Sequence, residues 1–558
     1  MYRAFIFFLA YSLSAHTKAD LILHNGKVVT LDPQHPEAQA IAVHNGRILA
    51  VGTDASMKAL TSPSTKVIDL HGQLAIPGFI EGHGHFMGVG EAKMNLNLRN
   101  VRNWDEIVAM VAQAARNAPP GAWIIGRGFH QSKWDQAPQP NVQGFPTHAE
   151  LSRVSPNNPV WLEHASGHAA MVNAAALKQA EITADTPNPP GGDILKDASG
   201  QPSGALLERA AGLVEPAYQA YLSKRSPSEV EIDARKKIQL AAQEAVTHGI
   251  TTFEDAGSSF ETVDLLKRVV EEGGLDLRLW VMLGQPPKDA TRYRIQNTGN
   301  YHLTVRAIKQ YMDGALGSRG AWMLAPYADL PSSSGLNTEP VQDIRKAAEV
   351  AIENNLQLCV HAIGDRANRE VLNLYEAVFA EHPDKKNLRW RIEHAQHLDP
   401  ADIPRFAQLG VIASMQPIHC TSDAPFVIAR LGPKRAEEGA YVWRSLLDSG
   451  AVVNSGTDAP VEEVDPIPNY YAAVTRKLKD GTTFFPAQRM TRMEALKSFT
   501  WSSAYAAFEE DIKGSLVPGK LADITVLSKD ILTIPDADIL STRVSYTIVG
   551  GHVVYQTN

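Results

Sequence analysis

Apolar and polar positions divide the chain into stretches with different periodicities. Between residues 20 and 76, short apolar runs such as Leu21-Ile22-Leu23 and Ile48-Leu49-Ala50-Val51 alternate with Asn-Gly turns, which predicts strands joined as hairpins. The stretch after residue 510 has the same character, with a Gly550-Gly551 turn before its last apolar run. We therefore expect one small β-sandwich domain built from both termini, residues 20–76 together with 510–558.

The central stretch, residues 77–509, changes to helical spacing followed by short buried strands. Helical spacing over 232–247 leads into an apolar strand at 249–253, and helical spacing over 341–354 leads into another at 356–360. This repetition is typical of parallel α/β structure. The predicted fold class is α/β, a (β/α)₈ TIM-type barrel. Residues 91–245 are too long for one βα crossover and are expected to form an insertion.

The first nineteen residues predict a signal peptide. Arg3 precedes an apolar run over 4–14 that is too short to cross a bilayer, and Thr17-Lys18-Ala19 offers small residues before an expected cleavage after Ala19. An N-terminal strand or anchor is the alternative. We expect export, to a periplasm or the outside, and no membrane span after the signal is removed.

Several central apolar strands end in side chains that would be costly in an ordinary core. The carboxyl ends of barrel strands face one mouth, so these side chains should converge. Each has an ordinary alternative, such as a hydrogen-bonded core histidine, a surface lysine or a helix-capping aspartate. The full set in strand order predicts metal ligands: His83, His85, Lys309, His361, His394 and Asp458.

Composition narrows the chemistry of this predicted centre. The chain has 19 His but only 2 Cys, so a metal must be held by imidazole and carboxylate rather than by thiolates. The formal net charge of −8 argues against nucleic acid and anionic membranes as partners and favours a small molecule. The expected cofactor is a divalent metal, two Zn²⁺ per chain. A CO₂-derived carbamate on Lys309 would offset their positive charge.

Longer motifs identify a family. The chain contains His83-Gly84-His85 after Pro77-Gly78-Phe79-Ile80, and further motifs over 313–319, 361–367, 391–396 and 456–460. With these it resembles the amidohydrolase superfamily, specifically the amidohydrolase 3 group, which includes N-substituted formamide deformylase. In two departures, Gly320 stands where Thr is common and Glu254 precedes Asp255 where another residue is frequent. They bear on substrate contacts more than on metals.

The resemblance implies a ligand set and a reaction. His83, His85 and Asp458 would hold one metal, His361 and His394 the other, and Lys309 would bridge. The implied activity is an amidohydrolase that cleaves a non-peptide carbon–nitrogen bond in an amide, N-formyl compound or cyclic amide. A metal-activated hydroxide would attack, with Asp458 as general base and then acid.

Substrate contacts are predicted for three residues in specific motifs, His168, Arg319 and Asp313. For Arg319 the alternative is a structural ion pair with Asp313 or Asp365. A deaminase or a lactone or ester hydrolase could use the same metal centre, and an exported binding or regulatory protein without catalysis also stays open. A homodimer is left open as well.

Overall fold

A computed structural model of the protein describes residues 17–131, 134–164, 169–189, 192–317 and 319–557. The chain divides into two compact units, one formed by the residues up to Phe86 together with those from Ala242 onward, the other by Met87–Ala241. Of the predicted signal peptide, residues 1–16 lie outside the described residues. Ala19 is buried, and its N–H donates to Leu60 O at 2.9 Å. No helix within the described ranges has the length and apolar character needed to span a membrane.

The N-terminal stretch forms short strands and the first strand of the barrel. In order they are β1 (Leu21–His24), β2 (Lys27–Val29), β3 (Glu37–Ala38), β4 (Ala40–His44), β5 (Arg47–Gly52), α1 (Asp54–Met57), a 3₁₀ helix (Lys58–Leu60), β6 (Lys66–Asp69), β7 (Leu74–Pro77) and β8 (Phe79–Gly84). One four-stranded sheet has the order β5-β4-β1-β6. The Asn25 and Asn45 turn residues adopt positive φ, as the Asn-Gly pattern predicts.

The second unit has a core of its own. Its elements are α2 (Phe86–Met94), β9 (Leu96–Asn97), α3 (Trp104–Asn117), β10 (Ile124–Phe129), β11 (Asn141–Val142), β12 (Phe145–Pro146), α4 (Ala149–Val154), β13 (Val160–His164), β14 (Ala169–Val172), α5 (Ala174–Gln179), β15 (Gly192–Lys196), β16 (Pro202–Glu208), a 3₁₀ helix (Arg209–Val214), α6 (Glu215–Leu222) and α7 (Pro227–Thr247), whose last turns belong to the first unit. The main sheet has the order β15-β16-β14-β13-β10-β9. Trp104, Ile107 and Val111 of α3 bury their apolar face in this core.

Strands and helices then alternate along the rest of the first unit. They are β17 (Ile250–Ser258), α8 (Phe260–Glu271), β18 (Arg278–Leu283), α9 (Ala290–Tyr293), β19 (Ile295–Thr298), β20 (Leu303–Tyr311), α10 (Val341–Asn354), β21 (Gln357–Ala362), α11 (Asp365–Glu381), β22 (Arg391–His394), α12 (Ile403–Leu409), β23 (Ile412–Met415), α13 (Pro417–Leu431), α14 (Pro433–Gly439), α15 (Trp443–Asp448), β24 (Val453–Ser455), α16 (Pro466–Thr475), a 3₁₀ helix (Pro486–Gln488), α17 (Arg492–Ser498) and α18 (Trp501–Ala506). Helix α10 shows why the periodicity predicted it. Ile344, Ala347 and Ala351 face the core at helical spacing, and Asn355 ends the helix in the left-handed conformation.

Eight parallel strands form a nearly closed barrel, which confirms the predicted fold class. Their order is β8-β17-β18-β20-β21-β22-β23-β24, with β19 pairing outside this path on β20. The two end strands, β8 and β24, can approach each other closely because Gly82 has no side chain. A Cβ at this position would lie 2.5 Å from Ser455 O. Beyond the strands, Asp458 N–H donates to His83 O at 2.7 Å. This contact brings the last strand's loop to the first strand's end.

The C-terminal strands complete a sandwich with the N-terminal ones. They are β25 (Ile524–Leu527), β26 (Val544–Val549) and β27 (His552–Gln556), with α19 (Asp536–Ile539) between the first two. The second sheet has the order β27-β26-β25-β7-β2-β3, so it combines both ends of the chain. One core of fully or nearly buried apolar side chains joins the two sheets, including Leu21, Ile41, Val28, Ile524 and Ile548. Both ends of the chain therefore contribute strands to this two-sheet core.

Candidate metal centre

Four strand ends bring the predicted ligands together at the barrel mouth. The ligand atoms of His83, His394 and Asp458 all lie within 4.8 Å of one another, and all three side chains are buried. The ring of His361 packs against that of His394 with centroids 4.3 Å apart, and His85 Nε2 lies 3.1 Å from Asp458 Oδ1. Residues from β8, β21, β22 and the loop after β24 thus form one cluster.

Lys309 of β20 joins this cluster as the sixth predicted residue. Its Nζ lies 3.5 Å from His83 Nε2, and the side chain is 1% exposed. Burial lowers the pKa of Lys309 from its usual value, although the nearby Glu393 and Asp458 carboxylates oppose the shift. The environment therefore shifts Lys309 toward the neutral amine.

The histidine rings are held so that their Nε2 atoms face the cluster. His83 Nδ1–H donates to Glu393 Oε2 at 2.5 Å, and His394 Nδ1–H donates to Gln416 Oε1 at 2.7 Å. With the proton on Nδ1, each Nε2 carries a lone pair, which is the arrangement found in metal-ligating histidines. Burial lowers the pKa of His83 to about 4 and that of His394 well below its ordinary value, so both rings are neutral near pH 7.

Two buried atoms of the cluster are left without hydrogen bonds. His361 Nε2 and Asp458 Oδ1 have no hydrogen-bond partner of good geometry within the described part of the chain. Burial would raise the pKa of Asp458, but His85, His83 and His394 hold it below its usual value, so the carboxylate is ionised. Unpaired buried acceptors are costly. A donor set of imidazoles and one carboxylate fits a divalent metal, which would satisfy both atoms.

The backbone at two of these residues is strained. His394 and Asp458 adopt φ values of 77° and 58°, in the left-handed region that favours glycine. Such conformations cost about 1–3 kcal/mol each and persist where the surroundings enforce them. Glu81 contributes to that enforcement, since its Oε1 accepts from Thr457 N–H at 2.6 Å, and burial raises its pKa to about 8. Strain at both positions is consistent with side chains placed for function.

A buried guanidinium behind the cluster positions one of its ligands. Arg391 lies between Glu254 and Glu393, with N–O distances of 2.5 and 2.7 Å, and all three side chains have no exposure. Because Glu393 also accepts a hydrogen bond from His83, Arg391 orients this predicted metal ligand through Glu393. Glu254, the departure noted in the sequence, is thereby explained as the second partner of Arg391.

Asp313 is buried beneath the turn between β21 and α11. Its Oδ1 accepts from Ile363 N–H at 2.9 Å, and its Oδ2 accepts from Gly364 and Trp322 N–H, both at 2.8 Å. Burial raises its pKa to about 7. Asp313 Oδ1 also lies 3.6 Å from His361 Nε2. These contacts make it a support for the strand end that carries His361, and its predicted substrate contact stays a prediction.

Arg319 has a structural partner that the sequence did not indicate. Its Nε and Nη2 donate to Asp329 at 3.2 and 2.8 Å, rather than to the expected Asp313 or Asp365. Asp329 also accepts from Arg430. His168, the third predicted substrate contact, lies outside the described residues. Substrate contacts by Arg319 and His168 therefore also stay predictions.

Two residues of this site were missed by the sequence analysis. Gln416 follows β23 and holds His394, and His419, three residues later, lies with Nε2 4.0 Å from Asp458 Oδ2. The signal was available, because the apolar run over 411–415 predicts a strand and Gln416 and His419 follow its end. Both lie just beyond the carboxyl end of a barrel strand, as the predicted metal ligands do.

Comparisons with known proteins show which family the chain resembles over most of its length. The model of the amidohydrolase family matches residues 66–555. The protein LONG AFTER FAR-RED 3 of Arabidopsis thaliana is 35% identical over 96% of this chain and 92% of its own length. Amidohydrolase YtcJ of Bacillus subtilis (strain 168) is 31% identical over 96% and 99%, and N-substituted formamide deformylase of Arthrobacter pascens is 29% identical over 96% and 98%. The solved structure of an uncharacterized metal-dependent hydrolase from Pyrococcus furiosus covers 92% of this chain and 100% of its own, with 25% identity and a TM-score of 0.73.

Proposed function

The chain belongs to the amidohydrolase family, and we propose that it hydrolyses a non-peptide carbon–nitrogen bond in a small amide, N-formyl compound or cyclic amide. The observation that carries the proposal is an ionised, buried Asp458 beside neutral imidazoles whose Nε2 atoms face one space. The formamide deformylase relative, similar over 96% of the chain, supports amide-type substrates over the deaminase and ester alternatives.

We infer that two zinc ions occupy this space. His83, His85 and Asp458 would hold one ion, and His361 and His394 the other. Their support is the pair of buried atoms left without partners, His361 Nε2 and Asp458 Oδ1. When bound, such ions supply water activated near neutral pH and polarise a carbonyl group.

Lys309 is proposed to bridge the two positions as a carbamate. Its neutral amine nitrogen would bond to the carbon of CO₂ and release one proton, which turns the neutral amine into an anionic carbamate. An ammonium group 3.5 Å from His83 Nε2 would repel a cation at that position, whereas a carbamate oxygen would bind it. Intact-protein mass spectrometry under non-acidic conditions should show the added mass of one CO₂, and its absence with both metals bound would contradict the carbamate.

Asp458 would move the proton during hydrolysis. Its ionised carboxylate can accept a proton from the attacking water and return it to the leaving nitrogen. This return matters because an amide nitrogen is a poor leaving group until it is protonated. The pKa of Asp458 lies below the usual range, so the carboxyl group is ionised and can accept the proton from water.

A substrate panel on zinc-loaded protein tests the reaction. N-formyl, N-acyl and cyclic amide compounds should release amine and carboxylate, while matched esters and aminated heterocycles should react far more slowly. Turnover confined to esters, or release of ammonia from the heterocycles, would contradict the proposal.

Chelation tests the requirement for metal. Removal of bound metal should abolish turnover, and addition of zinc should restore it, because the proposed reaction depends on water activated and a carbonyl group polarised by the metal. Metal content is measured by elemental analysis before and after treatment. A purified protein with almost no bound metal and unchanged turnover after chelation would refute a metal-dependent reaction.

A further inference from the structure

We propose that His419 is a further catalytic residue, which donates a hydrogen bond from Nε2 to the substrate's acyl oxygen as that oxygen gains negative charge. The proposal rests on the proposed hydrolysis. It assigns a task to a buried side chain that neither holds a predicted metal nor supports a ligand.

The position of His419 directs it toward the reacting groups. The residue lies in the first turn of α13, and its ring is stacked on that of His394, with an interplanar angle of 13° and centroids 6.4 Å apart. Its Nε2 lies 4.0 Å from Asp458 Oδ2, which is too far for a hydrogen bond. His419 therefore faces the same space as Asp458 without being paired to it.

A neighbouring amide sets which ring nitrogen carries the proton. Gln396 Nε2 donates to His419 Nδ1 at 3.0 Å, so Nδ1 is the acceptor and the neutral ring has its proton on Nε2. Gln396 is two residues from His394, so the turn that presents a predicted ligand also orients His419. The result is a fixed N–H donor at the mouth.

This donor is buried and has nothing to bond to within the described ranges. His419 is 7% exposed, and its Nε2 has no hydrogen-bond partner there. A buried donor without a partner is costly unless a ligand completes it. The carboxylate of Asp458 beside it can only accept a proton or a hydrogen bond. The N–H of His419 can instead donate a hydrogen bond to a developing oxyanion. Fixed donors of this kind lower the barrier to acyl transfer by stabilising the negative oxygen.

Two amide substitutions separate the two ring positions. The side-chain nitrogen of His419→Gln lies near the place of Nε2, whereas that of His419→Asn lies nearer the place of Nδ1. We expect His419→Ala and His419→Asn to lower kcat by about 10²–10³ with little change in KM, and His419→Gln to recover part of the loss. Bound metal should stay at the wild-type level in all three variants. Equal losses in the Gln and Asn variants, or loss of metal from His419→Ala, would overturn the proposal.

Binding of methylphosphonate gives a readout without turnover. Its tetrahedral anionic oxygens mimic the charge on the reacting carbon's oxygen. Titration calorimetry on zinc-loaded protein should show affinity at least about tenfold weaker in the Ala and Asn variants than in wild type, with the Gln variant between them. Unchanged affinity in the Ala variant, or no binding by wild type, would overturn the role of His419. If this pattern holds while no amide in the panel is hydrolysed, the proposed reaction fails and the oxyanion donor stands.

Discussion

Buried polar and charged groups at the two ends of the barrel are satisfied in different ways. At the end opposite the mouth, Arg278 donates from Nε and Nη2 to both oxygens of Asp523, at 2.7 and 3.0 Å, and from Nη1 to Asn300 O at 2.8 Å. Gly550 N–H adds a further bond to Asp523 at 2.8 Å. At the mouth, His361 Nε2, Asp458 Oδ1 and His419 Nε2 are buried without such partners in the described structure.

This difference distinguishes a structural ion pair from a site for an external ligand. The pair at the closed end joins the start of β18 to the sandwich strand β25 and is complete within the protein. At the mouth, two imidazole nitrogens and one carboxylate oxygen lack such partners among the described residues, so a ligand from outside the chain must supply them. Variants at the closed end should therefore change stability, and variants at the mouth should change metal binding or turnover.

The largest effect is expected at Asp458. Asp458→Asn should lower kcat by about 10²–10⁴ even when metal is retained, because the amide cannot accept a proton from water. Turnover is measured at matched metal content, with the unfolding midpoint as the control for fold. Wild-type turnover in the fully metal-loaded variant would disprove the role of Asp458.

A variant at the end of the barrel opposite the mouth should lower the stability of the fold. Asp523→Asn leaves Arg278 as a buried cation without its counter-charge, and we expect the free energy of unfolding to fall by about 3–5 kcal/mol. Denaturant unfolding measures it, with zinc content and turnover at low temperature as controls. The double variant Arg278→Met with Asp523→Leu should be less destabilised than the single one. A single variant that keeps its stability but loses its metal would reverse the comparison.

A smaller effect, on zinc affinity, is expected at Glu393, which accepts a hydrogen bond from the predicted ligand His83. Glu393→Gln keeps a hydrogen-bond acceptor for His83 but removes the charge, so zinc affinity should fall by about 10–100-fold. Competition with a chromogenic chelator measures the affinity. Glu376→Gln, on the exposed face of α11, is the matched control and should bind zinc as wild type does. Equal affinities for Glu393→Gln and the control would show that Glu393 does not tune the ligand.

The smallest effect on stability is expected at Arg319. Its ion pair with Asp329 is partly exposed and screened by solvent, so Arg319→Gln and Asp329→Asn should each change the free energy of unfolding little. Substrate KM then decides the second role predicted from the sequence. A rise in KM in Arg319→Gln alone would assign Arg319 to substrate, whereas equal KM values in both variants would make it structural.

The barrel and most of its mouth could be predicted because they depend on local pattern. Strand-end residues such as His83, Lys309 and His394 follow apolar runs whose parallel pairing forces their ends together. His419 also follows an apolar strand, but it lies three residues into a helix rather than directly at the strand end. The partner of Arg319 could not be predicted, because Asp329 lies on a loop whose path has no periodicity.

The sequence by itself determined the strand and helix order, the residues at the strand ends and the family motifs, since hydrophobic periodicity and residue type are written along the chain. Only the tertiary structure decided which buried groups are complete and which are not. Whether Arg278 meets Asp523, and whether His419 Nε2 is left facing Asp458, depends on distances between residues far apart in sequence. Those distances follow from the packing of the whole barrel.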